Sequence, residues 1–93
     1  MLSFKAALNT SFRVHIDDTR SVELTLVEVA DFDYGPGWES FSLLFTGPEP
    51  AAFWHGLFTV EHAEMGSFPM FIVAVLTFAD GLRYEAIFNR PAA

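Results

Sequence analysis

The sequence predicts an all-β domain, a single small antiparallel β-barrel or β-sandwich of about six to seven strands. Short runs rich in Phe, Val, Leu and Thr are separated by clusters of Gly, Pro and Asp, as in sandwiches and barrels. Within most runs apolar and polar side chains alternate, which is typical of half-buried strands. The 93 residues, 52% hydrophobic and 18% charged, suffice for one core, so residues 1–93 are predicted to form one domain.

The first two strands follow from this alternation. Apolar residues occupy every second position of 12–16 and again of 22–26. The phase then slips, because Val27 and Val29 are apolar whereas Glu28 is not. The slip predicts a β-bulge, or a strand that passes from one sheet to another.

The next two strands repeat the pattern. Every second residue of 41–45 is apolar, with Ser and Leu between them, and 58–62 place His62 on the same side as Phe58 and Val60. These side chains are predicted to face the core.

The last hairpin turns at Asp80-Gly81. A two-residue loop would place Phe78 opposite Arg83, whereas a three-residue loop with Gly81 in the left-handed region matches apolar residues on one face. We therefore expect the three-residue loop, which pairs Phe78 with Leu82, Leu76 with Tyr84, Ala74 with Ala86, and Ile72 with Phe88.

The candidate interface is the opposite face of this hairpin together with one aromatic residue of another loop, Trp38. Its members are Phe71, Val73, Val75, Ile87 and Trp38. Large apolar groups on a surface mark a protein partner or a homo-oligomer. The alternative is cover from within the chain: Leu2, Phe4 and Leu8, whose spacing is that of a short N-terminal helix, fold across the face, or the barrel closes over it.

A second hypothesis is a ligand pocket lined by Trp54 and His62, together with Trp38, in a small-ligand-binding barrel. The structural alternative is that Phe53 and Trp54 plug a barrel end and that His62 is a hydrogen-bonded core histidine. Glu61 and His62 point to opposite sides of a regular strand, so they do not chelate one ion. We expect no metal and no other cofactor.

Charge and motifs exclude several function classes. Twelve acidic residues against five scattered basic ones, a net charge of −7, disfavour nucleic acid and anionic membrane surfaces. The sequence contains no cysteine, no phosphate-binding loop and no nucleophile elbow, so we name no catalytic residue and expect no enzyme. The first residues lack the apolar stretch of a signal peptide, from which we expect a cytoplasmic protein.

Two motifs carry a resemblance: Phe41-Ser-Leu-Leu-Phe-Thr-Gly-Pro48 and Tyr84-Glu-Ala-Ile-Phe-Asn-Arg90. With His62, Gly66 and Phe71 between them, the chain resembles a family of small bacterial domains of unknown function over nearly its whole length. The resemblance implies a non-catalytic structural or protein-interaction module of a bacterial assembly related to phage tails. The alternative function is the small-ligand-binding β-barrel.

Overall fold

The computed structural model describes residues 4–32, 37–47, 53–77 and 81–91. It contains six strands, β1 (Ser11–His15), β2 (Ser21–Phe32), β3 (Trp38–Thr46), β4 (His55–His62), β5 (Gly66–Thr77) and β6 (Gly81–Pro91), after a 3₁₀ helix, Lys5–Ala7. The strands form a closed antiparallel barrel in the order β1-β2-β3-β6-β5-β4. The predicted all-β fold is confirmed, and the barrel is the form it takes.

The interior of the barrel is filled by every second side chain of its strands. The largest fully buried side chains are Tyr84, Phe12, Phe45, Leu24, Leu26, Leu43, Met70, Ile72, Val14 and Val60. A barrel of so few strands is narrow enough for side chains to fill it. Among the described residues, each buried side-chain nitrogen or oxygen has a hydrogen-bond partner. The described core therefore leaves no buried polar side-chain group unsatisfied.

The predicted phase slip in β2 is a β-bulge. The register between β2 and β3 shifts between Leu26 and Glu28, which leaves Val27 outside the ladder and exposed. Beyond the bulge Val29 packs against the core, so the inward phase moves by one residue. The bulge is confirmed, and β2 stays within one sheet.

The turn of the last hairpin is partly as predicted. Gly81 has a φ of 74°, which confirms the left-handed conformation that glycine tolerates best. It pairs with Thr77 across the hairpin. The loop residues 78–80, including Phe78 with its predicted partnership, lie outside the described residues.

The predicted register of this hairpin is wrong by two residues. Leu76 pairs with Leu82 instead of Tyr84, and Ala74 pairs with Tyr84 instead of Ala86. β6 also pairs along most of its length with β3, so closure of the whole barrel sets the register and the turn alone does not. A shift of two preserves the two faces of the hairpin, because the side-chain period is two. Leu76, predicted to face the core, is nevertheless 72% exposed near the end of β5.

The shift also changes the surroundings of Phe88. This residue pairs with Phe41 of β3, and the two rings stack with centroids 5.0 Å apart. The side chain is half-buried against the core. The prediction that Phe88 faces Ile72 deep in the core is wrong.

The N-terminal segment packs against the barrel core. The Phe4 ring has its centroid between 5.6 and 6.3 Å from those of Phe12, Phe41, Phe68 and Phe88. Lys5 forms a 2.6 Å ion pair with Asp31 of β2, and Leu8 packs against the core. Phe4 and Leu8 therefore do not cover the outer face of the last hairpin. Leu2 lies outside the described residues.

Candidate functional site

The outer surface of the barrel has two chemically different regions, which we name by their residues. The polar row consists of Ser11, Arg13 and His15 of β1, Glu23 of β2 and Glu61 of β4. The apolar face consists of Leu57 of β4, Phe71 and Val73 of β5, and Ile87 of β6. β4 contributes to both regions from its two halves.

Strand pairing brings the apolar face together. Leu57 of β4 pairs with Phe71 of β5. Val73 of β5 pairs with Glu85 of β6, and Ile87 follows Glu85 by two residues, so Ile87 lies on the same side of β6 as Glu85. The side chains of Leu57, Phe71 and Ile87 are 70%, 53% and 64% exposed. Because neighbouring strands lie about 4.8 Å apart, these side chains form one patch on the outside of the sheet.

Most of the candidate interface residues lie where the alternation predicts. Phe71, Val73 and Ile87 are exposed on the outer side, and Val75 on the same side is half-buried. Trp38 begins β3, and its side chain lies outside the described residues. The sequence reasoning missed Leu57, although the inward phase of its strand neighbours places this residue outside.

Trp54 does not plug the barrel. Its side chain is exposed directly before β4, and its carbonyl accepts a 2.7 Å hydrogen bond from the Ala74 backbone N–H of β5. Phe53 takes the interior position instead, with its ring centroid 4.5 Å from that of Phe58 and 5.1 Å from that of Tyr84. The expectation that both aromatic side chains plug a barrel end is right for Phe53 and wrong for Trp54.

His62 is buried and holds the β4–β5 turn. Its Nδ1 accepts hydrogen bonds from the backbone N–H groups of Glu64, at 3.1 Å, and Met65, at 3.2 Å. The ring proton is therefore assigned to Nε2, which donates to Thr10 Oγ1 at 2.8 Å. The Thr10 hydroxyl in turn donates to the Ala7 carbonyl. His62 thus joins this turn to the N-terminal segment as a hydrogen-bonded core histidine.

The structure does not bring Trp54 and His62 together. Trp54 directly precedes β4 and His62 ends it, so they are eight residues apart, which is ~26 Å along an extended chain. His62 instead borders an open surface groove of about 490 Å³, whose other lining residues are Ser11, Arg13, Glu23, Glu61 and Ala63. This groove is polar, and of the predicted pocket side chains that the structure describes it contains His62 but not Trp54.

The polar row satisfies its own charges. Arg13 pairs across the sheet with both Glu23 and Glu61, and its guanidinium donates to Glu23 Oε1 at 3.2 Å. Ser11 Oγ donates to the other oxygen of Glu23 at 3.2 Å, and His15 Nε2 is bonded to Glu61. These exposed ion pairs each contribute roughly 0–1 kcal/mol to folding. The row is a solvated surface whose carboxylates are already engaged.

Glu61 and His62 diverge as predicted, since one is exposed in the polar row and the other is buried. Within the described ranges, no group of three or more His, Asp or Glu side chains is placed to hold a metal ion.

The β1–β2 turn holds the Asp17 carboxylate in a network of local hydrogen bonds. The Arg20 side chain, bonded through Nε at 2.7 Å, and then the Thr19 backbone N–H lower the pKa of Asp17 to about 2. The Arg20 N–H donates to the same carboxylate at 2.8 Å. Asp17 thus closes the turn as an acceptor of local hydrogen bonds.

Residues 1–88 match a protein family described as "Domain of unknown function (DUF6916)". The chain is a member of the DUF6916 family. The expected resemblance to a domain family of unknown function is confirmed. No curated protein and no solved structure matches the chain. In the part of the chain that the structure describes, no helix is long and apolar enough to cross a membrane.

Proposed function

We propose that this DUF6916 domain is a non-catalytic protein-interaction module that docks through its apolar face. One observation carries the proposal. Of the seven large apolar side chains that the described residues leave exposed, four form the apolar face, whereas Val27, Trp54 and Leu76 lie outside it. Soluble monomers rarely leave more than a few hundred Å² of contiguous apolar surface open.

Docking would bury these side chains with a clear gain in free energy. Full burial of a Leu, Ile, Val or Phe side chain contributes roughly 1.5–3 kcal/mol, and those of the apolar face are already about half covered. The rim is polar, with Arg83 and Glu85 on β6 and with His55, whose ring stacks on Phe71 at a centroid distance of 6.4 Å. An apolar centre with a polar rim is the usual anatomy of a protein interface.

The polar groups of the barrel support a non-catalytic role. The buried His62 is used within the turn network, and the polar row pairs its carboxylates with Arg13 and His15. In the described residues these side chains serve local hydrogen bonds and ion pairs of the fold.

The setting we propose is a cytoplasmic bacterial assembly related to phage tails. Its support is the resemblance of the motifs at 41–48 and 84–90 to small bacterial domains. The description of the DUF6916 family names no biochemical activity and no cellular assembly.

A site-specific photo-crosslinker tests the docking surface in cells that produce the chain naturally. Placed at position 57 on the apolar face, it should give covalent protein adducts of defined size. Placed at position 23 in the polar row, it should give few. A second change, Ile87→Glu, should remove the adducts formed from position 57, because a charge in the patch resists burial.

The result that contradicts the proposal is equal adduct formation from positions 57 and 23, or none from position 57. Thermal unfolding of each purified variant shows whether the barrel is intact.

A further inference from the structure

We propose that the first half of β4 is a docking edge for an extended peptide segment of another protein, which adds to the sheet as a short extra strand. The segment is apolar beside Leu57 and basic where it meets the β1–β2 turn. This inference goes beyond the proposed function, because it uses backbone groups at the edge of β4 instead of side chains on the outer face of the sheet.

β4 has a partner strand on both sides over only part of its length. It pairs with β5 from His55 to His62, whereas its pairing with β1 covers only Thr59 to Glu61. Among the described residues, no strand pairs with 55–58 on the side of β1. In this part of the chain the sheet therefore closes along the second half of β4 and leaves an edge along the first.

The hydrogen bonds of β4 show which of its backbone groups face this edge. Residues along an antiparallel strand alternate in the side to which they direct their N–H and C=O groups. Trp54, directly before β4, accepts a hydrogen bond from the Ala74 N–H of β5 at 2.7 Å. The residues that follow at odd positions therefore direct their N–H and C=O groups away from β5, and His55 and Leu57 direct theirs to the edge.

The position of a proline supports this phase. Pro69 of β5, which has no N–H to donate, lies opposite Thr59. Thr59 pairs on its other side with His15 of β1, so its backbone groups face β1. His55 and Leu57 share this direction, because all three residues are spaced by two along the strand.

The β1–β2 turn prevents β1 from extending along this edge. If β1 continued straight, the pairing of His15 with Thr59 would bring Asp17 opposite Leu57. The Asp17 N–H donates instead to the Arg20 carbonyl at 3.3 Å, and the Asp17 carboxylate accepts a hydrogen bond from the Arg20 N–H. β1 therefore ends beside the middle of β4.

The edge has none of the features that usually protect an exposed strand. Natural edge strands are protected by lysine, proline, inward-pointing charges or β-bulges. Residues 55–58 are His-Gly-Leu-Phe, without a charged residue of these kinds or a proline. Their register with β5 runs without a shift. Such an edge is a template on which an extended peptide forms main-chain hydrogen bonds.

The surroundings of the edge determine the chemistry of the peptide. A residue paired with Leu57 lies on the same outer side of the sheet, beside a side chain that is 70% exposed. An apolar residue there gains from burial. The end of the peptide nearest to Thr59 meets the turn that contains Asp17 and Asp18, in a chain of net charge −7. Lys or Arg at that end is favoured by charge complementarity.

A second copy of this chain does not fit the edge in the same way. Antiparallel pairing that used His55 and Leu57 of both copies would place Thr59 of the partner subunit opposite Phe53. Because Thr59 is already paired with His15 on that side, the partner's His15 would occupy the place of the chain before Trp54. The occupant is therefore a separate extended segment.

Amide hydrogen exchange, followed by NMR on the purified chain, tests the edge itself. We expect the Leu57 N–H to exchange at least ~10-fold faster than the N–H groups of Phe58 and Thr59, after correction for intrinsic rates. The comparison is matched, because Phe58 faces β5 and Thr59 faces β1. Equal protection of the three amides would overturn the inference.

A displayed library of random peptides of about twelve residues, selected on the purified wild-type chain, tests the ligand. The matched variants are His55→Pro and His55→Ala. Both remove the imidazole, but only proline removes the N–H that faces the edge, and neither removes a hydrogen bond to β5. We expect the selected peptides to alternate apolar residues and to carry Lys or Arg.

These peptides should bind His55→Pro at least ~10-fold more weakly than wild type, because one peptide carbonyl loses its donor. Their affinity for His55→Ala should stay within about 2-fold of wild type. Circular dichroism shows whether His55→Pro folds. If it does not, a selected peptide that is N-methylated at the amides facing β4 provides the same comparison with the wild-type chain.

The outcomes separate this inference from the proposed function. Peptides that bind His55→Pro and His55→Ala equally, or a selection that yields no peptide, overturn the inference. In cells, loss of the position-57 adducts in a His55→Pro background supports it. Adducts that persist in that background contradict strand addition, and the apolar face then still docks a partner through its side chains.

Discussion

The polar row and the apolar face lie on the outside of the same barrel, yet they differ in how their side chains are satisfied. In the polar row Arg13 lies between two carboxylates and His15 takes up Glu61. In the apolar face Leu57 and Phe71 lie opposite each other across the sheet and remain more than half exposed. β4 contributes Glu61 to one region and Leu57 to the other. The position along a strand, more than the strand itself, therefore decides the chemistry of the surface.

The two regions therefore differ in what they are suited to contact. Exposed ion pairs such as those of the polar row contribute little to folding and keep the surface hydrated. The exposed apolar side chains gain most of their burial energy only when something covers them. The polar row suits contact with water, and the apolar face suits contact with protein.

The largest expected effect compares one phenylalanine inside the barrel with one outside it. Phe12 is fully buried beneath the polar row, with its ring centroid 5.5 Å from that of Phe45. Phe12→Ala should lower the free energy of unfolding by about 3–5 kcal/mol, because it removes a buried ring and leaves a cavity. Urea denaturation measures this loss.

Phe71→Ala, on the apolar face, is the matched control. Measured on monomeric protein at low concentration, it should cost less than about 1 kcal/mol, as expected for a change away from the core. A loss for Phe71→Ala as large as that for Phe12→Ala would show that the apolar face supports the fold, and the contrast between the two regions would fail.

The second prediction compares two histidines of β4. His62→Ala should lower the free energy of unfolding by about 2–3 kcal/mol, because the N–H groups of Glu64 and Met65 lose their acceptor. His55→Ala, at the exposed start of the strand, should change it by less than about 0.5 kcal/mol. Urea denaturation of both variants decides, and equal effects would contradict the network we assign to His62.

The smallest effect concerns the turn beside the polar row. The pKa of Asp17 is lowered from 3.8 to about 2 in the folded chain. Its ionised form therefore stabilises the fold at pH values above 3.8, and this contribution is lost as the pH falls from 3.8 towards 2. Urea denaturation between pH 6 and pH 2 should show a shallower acid loss for Asp17→Asn than for wild type. Parallel profiles would contradict the assignment.

Alternation in the sequence predicted which side chains lie inside the barrel and which outside. It placed 12–14, 41–45 and 58–62 correctly and located the bulge at Val27, whereas Ile16 lies beyond β1 and is only half-buried. These are local properties, because successive side chains of a strand point to opposite sides. The candidate interface followed from the same rule, which would also have found Leu57.

Properties that depend on distant strands were predicted less well. The register of the last hairpin was two residues off, because β6 is held by β3 as well as by β5. Trp54 was expected inside, but Phe53 takes the interior position, and no local pattern distinguishes two adjacent aromatics at a loop end. Phe4 lies among core aromatics, and the segment that follows it is joined to β2 by backbone hydrogen bonds of Asn9 and Thr10 with Leu26.

The sequence by itself determined the strand class and most of the two sides of the strands, since these depend on side-chain period and composition alone. Only the tertiary structure decided which outward residues become neighbours. Pairing of β4 with β5 brought Leu57 beside Phe71, and closure of the barrel through β1 and β4 placed Arg13 between Glu23 and Glu61. The physical reason is that register between strands is set by all pairings of a closed sheet together, and a short turn constrains only one of them.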